Sequence, residues 1–200
     1  ISHRSQKQRK TQPALTPIKR ERGTTFIAES NLQRKLAYLN TLYEIYQEQG
    51  IRVAGSQMTN TEYARFAYLK YLLFLANQDR IITEEEVTYC NVCLQKNLTR
   101  PAVERFLAQY TISFSGVTDA LLALLSVTIR ADLAGNHADG SVSLLLIETV
   151  EQMGTQFSAP EESTHAQQMI LLHSLLQQLY HYRSAAIQEW HDVKRNCAAR

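Results

Sequence analysis

Two hundred residues with 44% hydrophobic and 20% charged side chains are enough for one domain with a genuine core. Seven glycines and four prolines are few turn formers for a many-stranded β protein, three cysteines do not make a disulfide framework, and no run of 18 apolar residues is present to span a bilayer. The net charge of +2 hides an asymmetry: residues 1–23 carry seven basic side chains against Glu21 alone, net +6, and the remaining residues are net −4.

The chain opens with "ISHRSQKQRKTQPALTPIKRERGTT", which contains Pro13 and Pro17 and lacks periodic apolar residues. Residues 1–28 are therefore expected to form a disordered or extended basic arm, with residues 29–200 as the helical domain. Leu32, Leu36, Leu39, Tyr43 and Tyr46 then recur at helical steps and predict an amphipathic helix. Ser30 and Gln33 have the spacing of a capping box at its start, and Gly50 marks its end. Thr59 with Glu62 predicts the next cap, before a Tyr-, Phe- and Leu-rich segment, Tyr63 to Asn77, apolar nearly all round and so expected at the centre.

The stretch "NQDRIITEEEVTYC", residues 77–90, has two readings. As a helix corner, Thr83 caps the following helix, Glu86 closes the box from three positions on, and Glu84, Glu85 and Glu86 meet the positive end of the helix dipole. Ile81 or Ile82 then enters the core. As a cation site, Asp79 and the glutamates would supply hard oxygen ligands. Isoleucines occupy the places where alternating ligands would be wanted, and the corner is the reading favoured.

Val87, Cys90, Cys93 and Leu94 mark the next apolar face. A lone C-x-x-C with no second pair points to two buried thiols rather than to zinc, and to a reducing compartment. Thr99 and Pro101 open a short helix through Gln109. Val117 to Leu133 is strongly apolar and ends at Gly135-Asn136 and Asp139-Gly140. "SVSLLLIETVEQM" follows and is expected to stop at Gly154. Ser158, Pro160 and Glu161 open the last helix, to about Lys194, with Met169, Leu172, Leu176, Leu179, Ala186, Trp190 and Val193 as one stripe. The fold expected is all-α, a compact bundle of about seven helices with a long C-terminal helix.

"DRIIT" at 79–83 and "DGSVS" at 139–143 echo one another sixty residues apart, each between apolar helices, so the body is readable as two related helical hairpins. This arrangement resembles the TerB-like family of tellurite-resistance proteins over residues 60–155. Ala76, Asp79, Ile82, Thr83 and Glu86 match the first copy of the family's A-D-G-x-[IV]-[ST]-x-x-E motif, with Asn77-Gln78 inserted and Arg80 in place of glycine. Ala138, Asp139, Gly140, Val142 and Ser143 match the second, with Leu146 where the glutamate belongs. The resemblance implies an all-helical, non-enzymatic stress-response or envelope-associated scaffold. It further implies acidic corners (Asp79, Glu84, Glu85, Glu86, Asp139) open to partners or cations.

Other clusters are weaker. His165, His173 and His181 recur every eight residues, which spirals them about 80° apart on a helix. Asp132, His137 and Asp139 fall in one loop, where surface polar residues are commoner than metal trios. No nucleophile elbow, phosphate-cradling loop or zinc-protease motif is present, so no catalytic residue, metal or cofactor is implied.

The arm's Arg4, Lys7, Arg9, Lys10, Lys19, Arg20 and Arg22 suit a polyanion or an anionic membrane surface, against a solvated tail. Ten tyrosines, with Tyr38 off its helix's main stripe, suit protein contacts. The function expected is a non-catalytic adaptor or scaffold of a bacterial assembly, acting through protein partners, with no small-molecule substrate. Second comes a nucleic-acid-associated protein using the arm, and third a cation-binding TerB-like domain. The expected setting is cytoplasmic, with a tether to the inner membrane through a segment upstream of residue 1.

Overall fold

The computed structural model describes residues 18–135, 141–158 and 164–198, with side chains from residue 31 onward. Among these residues there are seven helices and no strand. They are α1 (Ile18–Glu48), α2 (Asn60–Ala76), α3 (Glu84–Leu94), α4 (Arg100–Gln109), α5 (Phe114–Ala134), α6 (Ser141–Phe157) and α7 (His165–Ala198). No single helix is long and apolar enough to cross a membrane.

Helix α5 is the hub, packed against α2, α6 and α7. Its Leu121, Leu124 and Leu125 are fully buried, as are Leu146 and Ile147 of α6 and Leu72 and Leu75 of α2. Each such side chain contributes about 1.5–3 kcal/mol by leaving water. Helix α1 lies on α2, α3 and α6, and its stripe of Leu32, Leu36, Leu39, Tyr43 and Tyr46 is wholly buried. The short α4 buries only Val103 and attaches to α3.

Two of the three expected capping boxes form at helix starts, those of α2 and α3. Thr59 Oγ1 accepts from the Glu62 amide at 3.2 Å while Glu62 accepts from the Thr59 amide at 2.9 Å. Thr83 and Glu86 repeat the same two distances. Gly50, at φ +77°, turns the chain out of α1 in the left-handed region that glycine alone occupies without strain.

Three expectations are corrected. Helix α1 begins at Ile18 rather than Ser30 and takes in residues 18–28 of the expected arm. A Ser-x-x-Gln spacing marks a start only where the preceding residues do not continue the helix, and Lys19 to Arg22, Ala28 and Glu29 are competent helix formers on either side of the weaker Gly23-Thr24-Thr25. Gly154 does not stop α6, which runs on to Phe157. A Cβ at Gly154 would lie 2.0 Å from Tyr71 Oη and 3.0 Å from a Leu172 methyl, so the glycine serves close helix packing. The stripe on α7 is buried only as far as Leu179; Ala186 packs half-buried against the edge of the core, Trp190 is half-buried and Val193 is 55% exposed. Pro160 and Glu161, expected to open α7, lie outside the described residues.

Candidate functional site

Among the described residues, a grooved surface lies along α2, where it meets α1 on one side and the end of α3 on the other. Met58, Glu62, Arg65, Phe66 and Leu69 recur at helical spacing and form its outer ridge. Three grooves adjoin this ridge, of about 360, 440 and 630 Å³, and Arg65 borders all three. The first runs between α1, α2 and α3, with Arg34 and Arg65 on its walls, Asn40 and Gln95 at its edges and Leu36 and Leu94 beneath. None of its described lining residues is an acid. The second is lined by Glu44, Glu48 and Glu62 as well as Arg65. The third is amphipathic, lined by Met58, Phe66 and Leu69 together with Glu62, Arg65 and Lys96.

Arg65 is half-buried, yet among the described residues no ion pair or hydrogen bond engages its guanidinium. Glu62 is within electrostatic reach of Arg65, but one of its carboxylate oxygens accepts from the Thr59 amide instead. That bond and the Thr59 hydroxyl hold the Glu62 carboxyl below the usual carboxylate range, with Arg65 adding a smaller push in the same direction. Lys70 sits 5.6 Å from the Phe66 ring centroid and backs the ridge with a second cation.

The walls are held rigidly. Asn60 is fully buried and donates to Ile51 O at 2.7 Å and Tyr43 O at 3.3 Å, while accepting from the Val53 amide at 3.2 Å. Its own amide donates to Gln47 Oε1 at 3.0 Å. One side chain thus ties the start of α2 to the α1–α2 loop and to α1 itself. Beneath the first groove, Tyr68 Oη lies 3.2 Å from Tyr43 Oη, and burial pushes both phenols above the usual tyrosine range. Gln95, which caps α3 at the groove edge, holds a left-handed backbone at φ 52° without being glycine.

The acidic corner is built as a helix corner. Asp79 accepts from the Ile81 amide at 2.9 Å, Ile82 is buried and Ile81 is 60% exposed. Asp79, Glu84 and Glu85 remain exposed, whereas Glu86 is buried in the capping box. Asp139, the fifth expected acid, lies outside the described residues, as do Arg4, Lys7, Arg9 and Lys10. Lys19, Arg20 and Arg22 fall in the first turns of α1, and their side chains are likewise not described.

At the start of α6 the work falls to a residue from another helix. Asp132 of α5, 3% exposed, accepts from the Val142 amide at 3.1 Å and the Ser143 amide at 2.9 Å. Ser143 Oγ in turn accepts from Arg183 Nε at 2.9 Å, joining α7 to the same cluster. Burial, reinforced by the Asp132 charge, pushes the nearby Tyr46 phenol up to about 12. The two echoing turns therefore differ in mechanism: α3 is capped by its own Thr83, and α6 by an aspartate seven residues upstream of the echo.

The remaining constellations disperse. His165 Nδ1 pairs with Ser158 Oγ at 2.8 Å, His173 Nδ1 with the Met169 carbonyl at 3.0 Å, and His181 is exposed. Cys90 and Cys93 are buried, and burial pushes the Cys90 thiol up to about 12. No group of three His, Cys, Asp or Glu placed to hold a metal occurs among the described residues. Sequence reading missed Arg34, Arg65, Asn60 and the capping role of Asp132. A polar Asn60 directly after the capping Thr59 was the one local hint.

Searches against protein-family models, curated proteins and solved structures found no match for this chain.

Proposed function

We propose that this chain is a non-catalytic docking module, an adaptor or scaffold that works by holding a protein partner along the outer ridge of α2. The observation that supports this most directly is the meeting of three grooves at one unpaired arginine, Arg65. The grooves form an extended relief rather than one enclosed pocket, and Phe66 and Met58 stand 41% and 44% exposed on it. Arginine, methionine and aromatic side chains are the types enriched where protein partners bind. The Asn60 cluster supports the reading further, because a recognition surface with fixed walls loses little conformational entropy on binding. The resemblance of residues 60–155 to TerB-like scaffolds implies the same class of role, within a bacterial stress-response or envelope assembly.

A photo-crosslinking residue at Phe66 in the full chain, expressed in the cells that produce it, tests the proposal. The expected result is a discrete crosslinked protein whose yield falls at least fivefold with Arg65→Glu. Crosslinks obtained from Tyr182 on α7 but not from Phe66 would move the docking surface elsewhere. No crosslinked protein from either position would overturn the module reading altogether.

A further inference from the structure

We infer that the ridge of α2 recognises an acidic segment of its protein partner, with a carboxylate between Arg34 and Arg65 and a large apolar side chain against Phe66. The inference rests on the docking reading above and specifies what is docked. Its first support is charge. Among the described residues, the 360 Å³ groove presents two guanidinium groups and no acid, and neither arginine has an ion-pair partner. A guanidinium carries five N–H donors in a planar fork that matches a carboxylate.

The second support is the surroundings. The 630 Å³ groove continues past Arg65 with Met58, Phe66 and Leu69 as its apolar lining and Lys96 and Glu62 as its other charged residues, so one chain can place an acid beside the arginines and a bulky apolar residue in the adjoining groove. The 440 Å³ groove, lined by Glu44, Glu48 and Glu62, repels the same segment and sets the path it follows. A free phosphate would be held by the same arginines but would leave the apolar groove empty. A nucleic acid would bring one phosphate per nucleotide past those three glutamates.

The test is selection of a random twelve-residue peptide display library on the immobilised full chain, run in parallel on an Arg34→Gln/Arg65→Gln variant whose helix content matches wild type by circular dichroism. The expected outcome on wild type is enrichment of Asp or Glu within a few residues of Leu, Phe, Trp or Met, and loss of that enrichment on the variant. A synthesised consensus peptide should then bind, by fluorescence anisotropy, at least about tenfold more weakly when its acids become amides. The variant should weaken it by a similar factor, and added salt should weaken it further. Peptides that lack excess acid but are lost with Phe66→Ala would overturn this inference and leave the docking module standing. Inorganic phosphate that binds alone and displaces the peptide would also overturn it. Enrichment on neither protein would overturn both.

Discussion

Replacing Gly154 with alanine sets two known effects against each other. In an isolated helix the change gains about 1 kcal/mol, because alanine is the better helix former. In this fold the new Cβ would stand 2.0 Å from Tyr71 Oη and 3.0 and 3.2 Å from the two Leu172 methyl carbons. Tyr71 is 1% exposed and its hydroxyl donates to Val150 O at 3.1 Å, so the phenol cannot retreat without breaking that bond inside the core. Losing a buried hydrogen bond costs about 1–3 kcal/mol and forcing extra volume into a packed core about 1–3 kcal/mol. The net expectation is a loss of about 3 kcal/mol, or roughly 10 °C in thermal midpoint for a domain of this size. Urea and thermal unfolding of the full chain measure it. Tyr71→Phe alone should cost about 1 kcal/mol. Because it removes the clashing oxygen, the double variant should be more stable than the sum of the two singles by at least about 1 kcal/mol. A Gly154→Ala protein as stable as wild type, or strict additivity, would refute the packing explanation.

Three further outcomes are expected. Asp132→Ala removes two charge-assisted bonds to backbone amides at the start of α6 and should cost about 2–4 kcal/mol in urea unfolding, with Asp132→Asn costing less; equal stability of all three proteins would remove the capping role. Burial holds Tyr43, Tyr68, Tyr71 and Tyr89 above the usual tyrosine range and Tyr46 at about 12. Since the unfolded chain gives up these protons first, their contribution to stability is complete below about pH 10 and falls as the pH rises from there towards 12. A urea midpoint that stays flat from pH 8 to pH 11 would contradict this. Of the three thiols, Cys197 is exposed while Cys90 and Cys93 are buried, so Ellman's reagent at pH 8 should find one fast thiol in the native protein and three in guanidinium. Three fast thiols in the native protein would contradict the packing of α3.

Features carried by a few neighbouring residues were legible in the sequence. The Thr59–Glu62 and Thr83–Glu86 boxes are local reciprocal bonds, and the stripe from Leu32 to Tyr46 is a matter of helical period alone. What failed was set by distant partners. Gly154 looks like a stop until Tyr71, 83 positions earlier, is placed against it. Asp132 looks like a loop acid until α6 docks with its first amides on the carboxylate. Arg65 carries no mark at all, because whether an arginine is paired depends on what three helices bring beside it.

The aspartate that closes the first turn of α6 has one more consequence. Since it belongs to α5, the carboxylate that accepts from the Val142 and Ser143 amides reaches α6 only when its neighbour docks, and a peptide carrying α6 alone lacks it. Ser143 and Arg183 then hang α7 on the same knot. Three helices are thereby obliged to assemble and come apart together, which favours a single sharp melting transition over a gradual fraying from the C-terminal end.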